Sequence, residues 1–401
     1  MKNSFENLAA NSSNPKWSNI ISRQSPLYHR SMDTRNDFER DYTRIIHSNS
    51  YRRLKHKTQV FFSPDNDHIC TRIEHVTHVD SISYTIANYL GLNTELTKAI
   101  AVSHDLGHSP FGHAGERILS SLSKKYLNKS FWHEKNGLDF VDDVELLEDN
   151  ERFKQNLNLT YGVRDGIISH CGEIDENGLK PREEFIDLSD YSFPNQFAPY
   201  TWEGCVVKVA DKISYIGRDI EDAITLGILD NHLTELSNLL SDSSVSNLNN
   251  TNIINYLVTD LCENSSPEKG ICFSNNAFTL MNKIKAFNYK NIYLCDRLQA
   301  SNRYFELVIN EIYETLLSCY VQNDFLASSK KLEKYYPNLS RSFYDFLQLY
   351  CDVDNRCELK LRNKVLFEDE NINNFHQAIL YYISGMTDHF AIKVYEEIIG
   401  F

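Results

Sequence analysis

The sequence has few of the residues that break helices and no segment long and apolar enough for a membrane. Its 401 residues include only 15 glycines and 9 prolines, and the apolar residues recur mostly at helical spacing, which predicts a mainly α fold. No apolar run approaches the roughly 18 residues of a membrane helix, and residues 1–21 lack the apolar core of a signal peptide. We therefore expect a cytoplasmic protein without membrane contact.

Paired cysteines and an excess of positive charge are missing as well. The nine cysteines are scattered without a Cys-x-x-Cys pair, which indicates reduced thiols and argues against a disulfide framework or a zinc knuckle. Lysine and arginine number 41 against 55 acidic residues, a net charge of −14. This balance disfavours a protein whose whole surface follows a nucleic-acid backbone. Ordinary fractions of hydrophobic (41%) and charged (24%) residues exclude wholesale disorder.

Two helices are predicted near the middle of the first half. One runs from Glu74 and ends at Gly91; the next has Asn93 as its N-cap and stops before Gly107. Further helices are predicted over 161–169, 206–226, 290–320, 341–351 and 375–399, with a short strand near 185–187.

Composition also predicts the domain organisation. Ser- and Asn-rich stretches around 236–255 and 263–270 read as surface connections. We expect a flexible N-terminal segment (1–22), a core domain (23–230), connections with a short helix (231–270), and a C-terminal helical region (271–401) that completes the fold and forms an oligomer interface.

Histidine is concentrated in one part of the chain. Nine of the 14 histidines lie between positions 47 and 133, several times the number that uniform usage gives. His75 lies on the first predicted helix, His104 and Asp105 end the second among apolar residues, and Asp211 follows an apolar stretch. Unpaired polar groups are costly in such settings. Two imidazoles and two carboxylates without a thiolate predict a site for Mn²⁺, Fe²⁺, Zn²⁺, Co²⁺ or Mg²⁺, the identity remaining open.

The residues around this pair carry a family resemblance. Residues 104–116, His-Asp-Leu-Gly-His-Ser-Pro-Phe-Gly-His-Ala-Gly-Glu, resemble the signature of HD-domain phosphohydrolases, specifically the deoxyguanosinetriphosphate triphosphohydrolase-like branch. The segments 35–60, 72–75, 157–170 and 211–219 are similar to that family too, so the resemblance covers roughly residues 23–227. It implies an HD-domain helical, metal-dependent phosphohydrolase core with additional C-terminal helices.

The resemblance implies a reaction and roles for individual residues. The reaction is hydrolysis of deoxynucleoside triphosphates, dGTP or others, to the deoxynucleoside and inorganic triphosphate. His75, His104, Asp105 and Asp211 are implied as metal ligands. The implied catalytic residues are His113 with Glu116 as an oriented acid, and the further histidines His108 and His133. The implied substrate-binding residues are Arg72 and Lys212 for phosphates, Gln59, Tyr215 and Asp219 for the sugar, and Arg53 from the basic run 53–57, which could equally be a solvated face.

Partners follow from the same reasoning. A homo-oligomer, with a hexamer favoured, is expected because of the resemblance and because the apolar face of 305–317 exceeds what one small core requires. The resemblance also allows single-stranded nucleic acid on the 52–57 patch and a nucleotide effector.

Two other functions share the metal residues. One is a phosphodiesterase or 5′-nucleotidase that acts on another nucleotide; the other is a regulator that binds a nucleotide or single-stranded nucleic acid on the same fold. The 57–59 segment and the series His108, His113, Glu116 argue against the first. The complete set of ligands and acid residues argues against the second.

Overall fold

The structure is a computed structural model that describes residues 2–28, 32–62, 66–170, 177–241 and 250–400. Within these ranges the chain forms seventeen α-helices and one two-stranded sheet, which confirms the mainly α prediction. The helices are α1 Trp17–Ile20, α2 Asp37–His47, α3 Asn49–Arg53, α4 Arg72–Leu90, α5 Thr94–Ser103, α6 Gly112–Leu127, α7 His133–Asp139, α8 Tyr161–Ser169, α9 Trp202–Thr225, α10 Leu233–Ser241, α11 Asn250–Asn264, α12 Asn275–Asn288, α13 Asp296–Ser318, α14 Phe325–Lys330, α15 Pro337–Tyr350, α16 Ile372–Ser384 and α17 Asp388–Ile399.

Helices α4 and α5 begin and end as their sequences predict. Gly91 ends α4 in the left-handed conformation, with φ 82°, which a residue without a Cβ adopts at little cost. The Asn93 side chain caps α5 by accepting a hydrogen bond from the amide of Leu96 at 3.0 Å. The two helices pack against each other, and α9 packs against both.

The buried apolar residues form three clusters that bring the distant parts of the chain together. One joins α4 and α9 to α11 and α12, and another joins α2, α4, α5 and α8. The remaining cluster joins α6 to α13, α14, α15, α16 and α17. The C-terminal helices therefore share core with residues of the segment 111–144, across the domain boundary predicted from composition.

Some sequence predictions need correction. Residues 185–187 form no strand; Phe185 is half exposed, and the two strands are β1 Leu146–Glu148 and β2 Lys154–Asn156, which pair antiparallel. The helix predicted over 375–399 is two helices, because α16 ends at Ser384 and Thr387 caps α17 by accepting from the amide of Phe390.

Two segments expected to be flexible or loop-like contain packed structure. In the segment 2–22, Phe5, Ala10 and Ile20 are buried in the core clusters. The segment 231–270 contains α10 and α11, while 242–249 lies outside the described residues.

The apolar face of α13 is mostly covered within the chain. Phe305, Ile309, Ile312 and Leu316 are buried against the C-terminal helices, and only Leu307 is strongly exposed, at 61%. This face therefore does not require a second subunit, and the oligomer stays a prediction. No helix in the described ranges is long and apolar enough to cross a bilayer.

Gly115 offers a test of how tightly α6 packs on the loop before it. A Cβ at this position would lie 1.9 Å from the carbonyl oxygen of Pro110. Helix propensity alone makes Gly→Ala stabilising by about 1 kcal/mol, but we expect Gly115→Ala to lower the free energy of unfolding by about 1–3 kcal/mol because the loop must move. Urea denaturation measures this, with Ser121→Ala on the exposed face of the same helix as the control. A Gly115→Ala protein as stable as the parent would contradict the packing.

Candidate metal centre and active site

Two helices and the segment that follows a third bring the four predicted metal ligands together. His75 lies on the second turn of α4, Asp211 lies on α9, and His104 and Asp105 follow the end of α5. His75 Nε2 is 2.9 Å from Asp211 Oδ1 and 3.8 Å from Asp105 Oδ2. His104 Nε2 is 3.5 Å from Asp105 Oδ1 and 3.8 Å from Asp211 Oδ1. Four donor groups thus converge between α4, α5 and α9.

The chemistry of these donors fits a divalent cation. His104 Nδ1 is 2.7 Å from the carbonyl oxygen of Ala101 and donates to it, so Nε2 presents its lone pair. That Nε2 atom is buried and has no hydrogen-bond partner among the described residues. Donor atoms of His75, His104 and Asp211 lie within 4.8 Å of one another. Burial opposes ionisation of Asp211, but the hydrogen bond from His75 and the nearby imidazoles lower its pKa to about 2, which keeps it a carboxylate ligand.

Asp105 also contacts two side chains outside the metal group. Arg72 Nη1 donates to Asp105 Oδ2 at 2.7 Å, and His108 Nε2 lies 3.1 Å from Asp105 Oδ1. Arg72 is 1% exposed, and its Nε is a buried donor without a partner among the described residues. Burial and the charge of Arg72 hold the pKa of His108 well below its usual value. The Arg72 guanidinium is therefore fixed beside Asp105, and its Nε–H is unpaired among the described residues. Lys212, next to Asp211, is also buried.

The predicted catalytic residues form a second cluster beside the first. Glu116 Oε2 is 3.0 Å from His113 Nδ1, and Glu116 Oε1 is 3.1 Å from His133 Nδ1. The rings of His108 and His133 stack with centroids 3.8 Å apart. Burial opposes ionisation of Glu116, yet the charges and hydrogen bonds of His133 and His113 lower its pKa far below the usual range. His113 is the exposed residue of this cluster, with 62% of its side chain accessible. Its ring therefore faces outward, with Nδ1 against the Glu116 carboxylate.

The loop 104–111, which carries His104, Asp105 and His108, is tied to the C-terminal helices. Asp388, at the start of α17, accepts hydrogen bonds from the amides of Thr58 and Phe111, both at 2.8 Å. Lys57 Nζ donates to the carbonyl oxygens of His108 and Ser384. Burial and the nearby charge of Arg53 lower the pKa of Lys57 to about 7. Lys57 is thus buried, and a solvated basic face is the wrong interpretation for this residue.

Two of the three residues predicted to meet the sugar lie on α9. Tyr215 and Asp219 share α9, and Asp219 accepts a hydrogen bond from the hydroxyl of Tyr293. Burial raises the pKa of Asp219 to about 7, against the opposing effect of that bond. The Oε1 atom of Gln59 is buried without a hydrogen-bond partner among the described residues.

Arg53 lies apart from this group. Its Nη2 donates to Glu145 Oε1 at 2.6 Å and to Ser50 Oγ at 2.9 Å. It lines a cavity whose walls include none of the candidate metal ligands. The prediction that Arg53 binds substrate phosphates gains nothing from this placement, because its charge is already paired with Glu145.

Three residues of the site were not assigned roles from the sequence. The His170 ring lies 4.9 Å from that of His104, and burial with the nearby charges of His104 and His133 lowers its pKa to about 3. The sequence did carry a signal for His170, because its segment, 164–170, resembles the family. Tyr293 and Asp388 had no comparable signal, since they lie in C-terminal segments that could belong to many folds.

Comparison with known proteins agrees with this geometry. The HD domain model matches residues 72–216, the range that holds both histidine clusters and all four candidate ligands. The fold and site therefore define an HD-domain protein, a class of metal-dependent phosphohydrolases.

The chain is also similar to curated proteins over nearly its whole length. It is 33% identical to a deoxyguanosinetriphosphate triphosphohydrolase-like protein of Rickettsia prowazekii, covering 98% of both chains. It is 33% identical to a protein of the same description from Caldanaerobacter subterraneus, covering 91% of this chain and 86% of the relative. The chain belongs to the deoxyguanosinetriphosphate triphosphohydrolase-like family, which confirms the resemblance, and it is a hydrolase.

The metal centre can be tested by elemental analysis. We expect the purified protein to hold about one divalent ion per chain, and Asp211→Ala or His104→Ala to lose most of it, because a missing ligand removes much of the binding free energy. His47→Ala, an exposed histidine on α2, is the control and should keep the ion. Full metal content in both ligand variants would contradict the assignment.

Proposed function

We propose that the protein hydrolyses deoxynucleoside triphosphates to the deoxynucleoside and inorganic triphosphate. The observation that carries this proposal is the contact between the two histidine clusters: His108 lies 3.1 Å from Asp105 of the metal group and stacks on His133 of the acid group. A site for water attack and a source of a proton thus lie side by side. Curated relatives at 33% identity named triphosphohydrolase-like support the substrate class.

The reaction replaces one phosphoester bond. A water oxygen bonds to the α-phosphorus, the bond from phosphorus to the 5′-oxygen breaks, and the deoxynucleoside leaves once that oxygen gains a proton. A cation held by His75, His104, Asp105 and Asp211 would supply Lewis acidity at the α-phosphate and lower the pKa of water. Mn²⁺, Mg²⁺, Fe²⁺, Co²⁺ and Zn²⁺ all suit these ligands.

Arg72 and Lys212 supply positive charge that compensates the negative charge of the triphosphate. The chain carries a net charge of −14, so the substrate needs local cations. The Arg72 guanidinium is oriented by its bond to Asp105 and keeps a buried Nε–H without a partner among the described residues. A phosphate oxygen would satisfy that donor with a charge-assisted hydrogen bond.

His113 is suited to protonate the leaving 5′-oxygen. Its Nδ1 faces the Glu116 carboxylate at 3.0 Å, which orients the ring and directs Nε2 outward. Glu116 also accepts from the amide of His133 at 2.9 Å, so its own position is fixed.

Asp219 and its neighbours suit recognition of a deoxyribose. Asp219 can accept the 3′-hydroxyl, Tyr215 can pack under the ring, and the Tyr293 hydroxyl holds Asp219 in place. Close packing at this point would disfavour a 2′-hydroxyl on steric grounds.

The acid can be tested by one substitution. His113→Ala should keep metal and substrate yet lose about two to four orders of magnitude in turnover, the usual contribution of general acid catalysis. Rapid-quench measurement of triphosphate release, with metal content taken on the same samples, checks this. His47→Ala is the matched control. Turnover within tenfold of the parent would exclude His113 as the acid.

Sugar selection can be tested through the Asp219 pair. Asp219→Ala and Tyr293→Phe should lower the ratio of dGTP to GTP turnover by about tenfold, because a loosened pocket no longer excludes the 2′-hydroxyl, without changing metal content. Tyr289→Phe, an exposed tyrosine four residues earlier, should leave the ratio unchanged. If both site variants discriminate as the parent does, these residues do not contact the sugar.

A further inference from the structure

His170 lies at the site but has no role in the hydrolysis proposed above. It follows the end of α8 and is 2% exposed. Its ring lies 4.9 Å from that of His104, a candidate metal ligand, and 5.5 Å from that of His133 in the acid group. His170 therefore packs against both groups, in the buried interior of the site.

The hydrogen bond at Nδ1 decides which nitrogen of His170 is free. Nδ1 lies 2.6 Å from the carbonyl oxygen of Ile167. A carbonyl oxygen only accepts, so Nδ1 donates and Nε2 keeps its lone pair as an acceptor. The bond from His104 to Ala101 fixes that ring in the same way, but Nε2 of His104 belongs to the candidate metal ligands. His170 thus brings to the site an acceptor outside that set of four.

The spacing puts His170 within reach of a water molecule beside the candidate ligands. One ring nitrogen of His170 and one ligand atom each of His104 and Asp105 lie within 4.8 Å of one another. Two hydrogen bonds of about 2.8 Å each can join atoms at this separation through a single water oxygen. A water molecule that contacts Asp105 can therefore also donate to His170.

The direction of attack determines where such an acceptor is needed. The attacking water uses an oxygen lone pair, so its O–H bonds must be held by acceptors that turn the lone pair toward phosphorus. The attacking and leaving oxygens lie roughly in line at the phosphorus, so the group that holds the water lies apart from the group that protonates the leaving oxygen. His133 lies between His170 and His113, with ring centroids 5.5 Å and 5.8 Å away. His113 is exposed and His170 is buried, a separation that fits these two tasks.

We propose that His170 is a further catalytic residue, whose Nε2 accepts a hydrogen bond from the attacking water and aims that water at the α-phosphorus. This inference rests on the proposed hydrolysis. The water oxygen bonds to phosphorus, the bond from phosphorus to the 5′-oxygen breaks, and that oxygen takes a proton from His113. The proton lost by the water passes to solvent, from which His113 is protonated again, and His170 stays neutral throughout.

Steady-state kinetics of two His170 variants test the role of the acceptor. The substrate is the deoxynucleoside triphosphate that the parent hydrolyses fastest. His170→Phe keeps a ring and removes the acceptor, so kcat should fall about 100-fold, the usual cost of a misplaced reactant, while KM stays the same. His170→Gln, whose amide oxygen can take the place of Nε2, should be faster than His170→Phe by about tenfold. His170→Met gives the same comparison if the Phe ring does not fit.

His376→Phe is the matched control. His376 is likewise a buried histidine packed against aromatic rings, and its Nδ1 is 2.7 Å from the hydroxyl of Tyr313 in the C-terminal core. The substitution removes the same group from a place away from the reaction. We expect the kcat of this variant to equal that of the parent.

Three further measurements need no turnover. Elemental analysis should find the parent's metal content in both His170 variants, because His170 is not one of the four ligands. Calorimetry should show inorganic triphosphate binding to the metal-loaded variants as tightly as to the parent, because Arg72 and Lys212 are unchanged. In protein labelled with ¹⁵N at histidine and loaded with Mg²⁺ or Zn²⁺, the resonances missing from His170→Phe should belong to a neutral ring with its proton on Nδ1.

Several results would overturn the proposal. One is a kcat for His170→Phe within tenfold of the parent, and another is a His170→Gln protein no faster than His170→Phe. Loss of metal from His170→Phe would make His170 a metal ligand, and a proton on Nε2 would leave no acceptor. A parent that releases triphosphate from none of the deoxynucleoside triphosphates would disprove the proposed function itself, whereas an active parent with unaffected variants disproves only the role of His170.

Discussion

The rest of the site depends on the contacts of one buried carboxylate, that of Asp105. It is buried, and it lies among Arg72, His108, His75 and His104. Removing one partner of such a buried pair costs about 3–5 kcal/mol, because the remaining charge is left uncompensated. Asp105 therefore joins the metal group to the acid group, and each group is oriented by the other.

The C-terminal helices hold this arrangement in place through hydrogen bonds. Asp388 and the carbonyl oxygen of Ser384 hold the chain at 57–58 and the loop at 108–111 through buried hydrogen bonds. The three bonds made by Asp388 and Ser384 each span more than 270 residues of sequence, and the aromatic core between α6 and the C-terminal helices makes them possible. The catalytic loop is therefore positioned by a part of the chain that carries none of the predicted catalytic residues.

Much of the candidate metal site could be predicted, because the energetic cost of burying its polar groups is visible from the neighbouring residues in the sequence. His104 and Asp105 follow an apolar helix and Asp211 follows an apolar stretch, so each predicted a compensating partner before any contact was known. Helix boundaries at Gly91 and Asn93 were equally local, since caps depend on neighbouring residues. The contact of Tyr293 could not be predicted in this way, because a tyrosine in a helical segment can occupy many positions in a fold. Only the packing of α9 brings Asp219 to the Tyr293 hydroxyl. Arg53 shows the converse: its basic surroundings predicted a phosphate contact, but Glu145, 92 residues away, already pairs with it.

The sequence by itself determined the mainly α class, the family, and which residues are candidates for metal binding and acid catalysis, because periodicity, caps and short motifs are properties of adjacent residues. Tertiary structure alone decided which of those residues meet. It buried Lys57, paired Arg53 with Glu145, placed Tyr293 on Asp219, and split the last predicted helix at 385–387 to bring Asp388 under the catalytic loop. Contacts between distant segments depend on how the helices pack, and no local pattern records that packing.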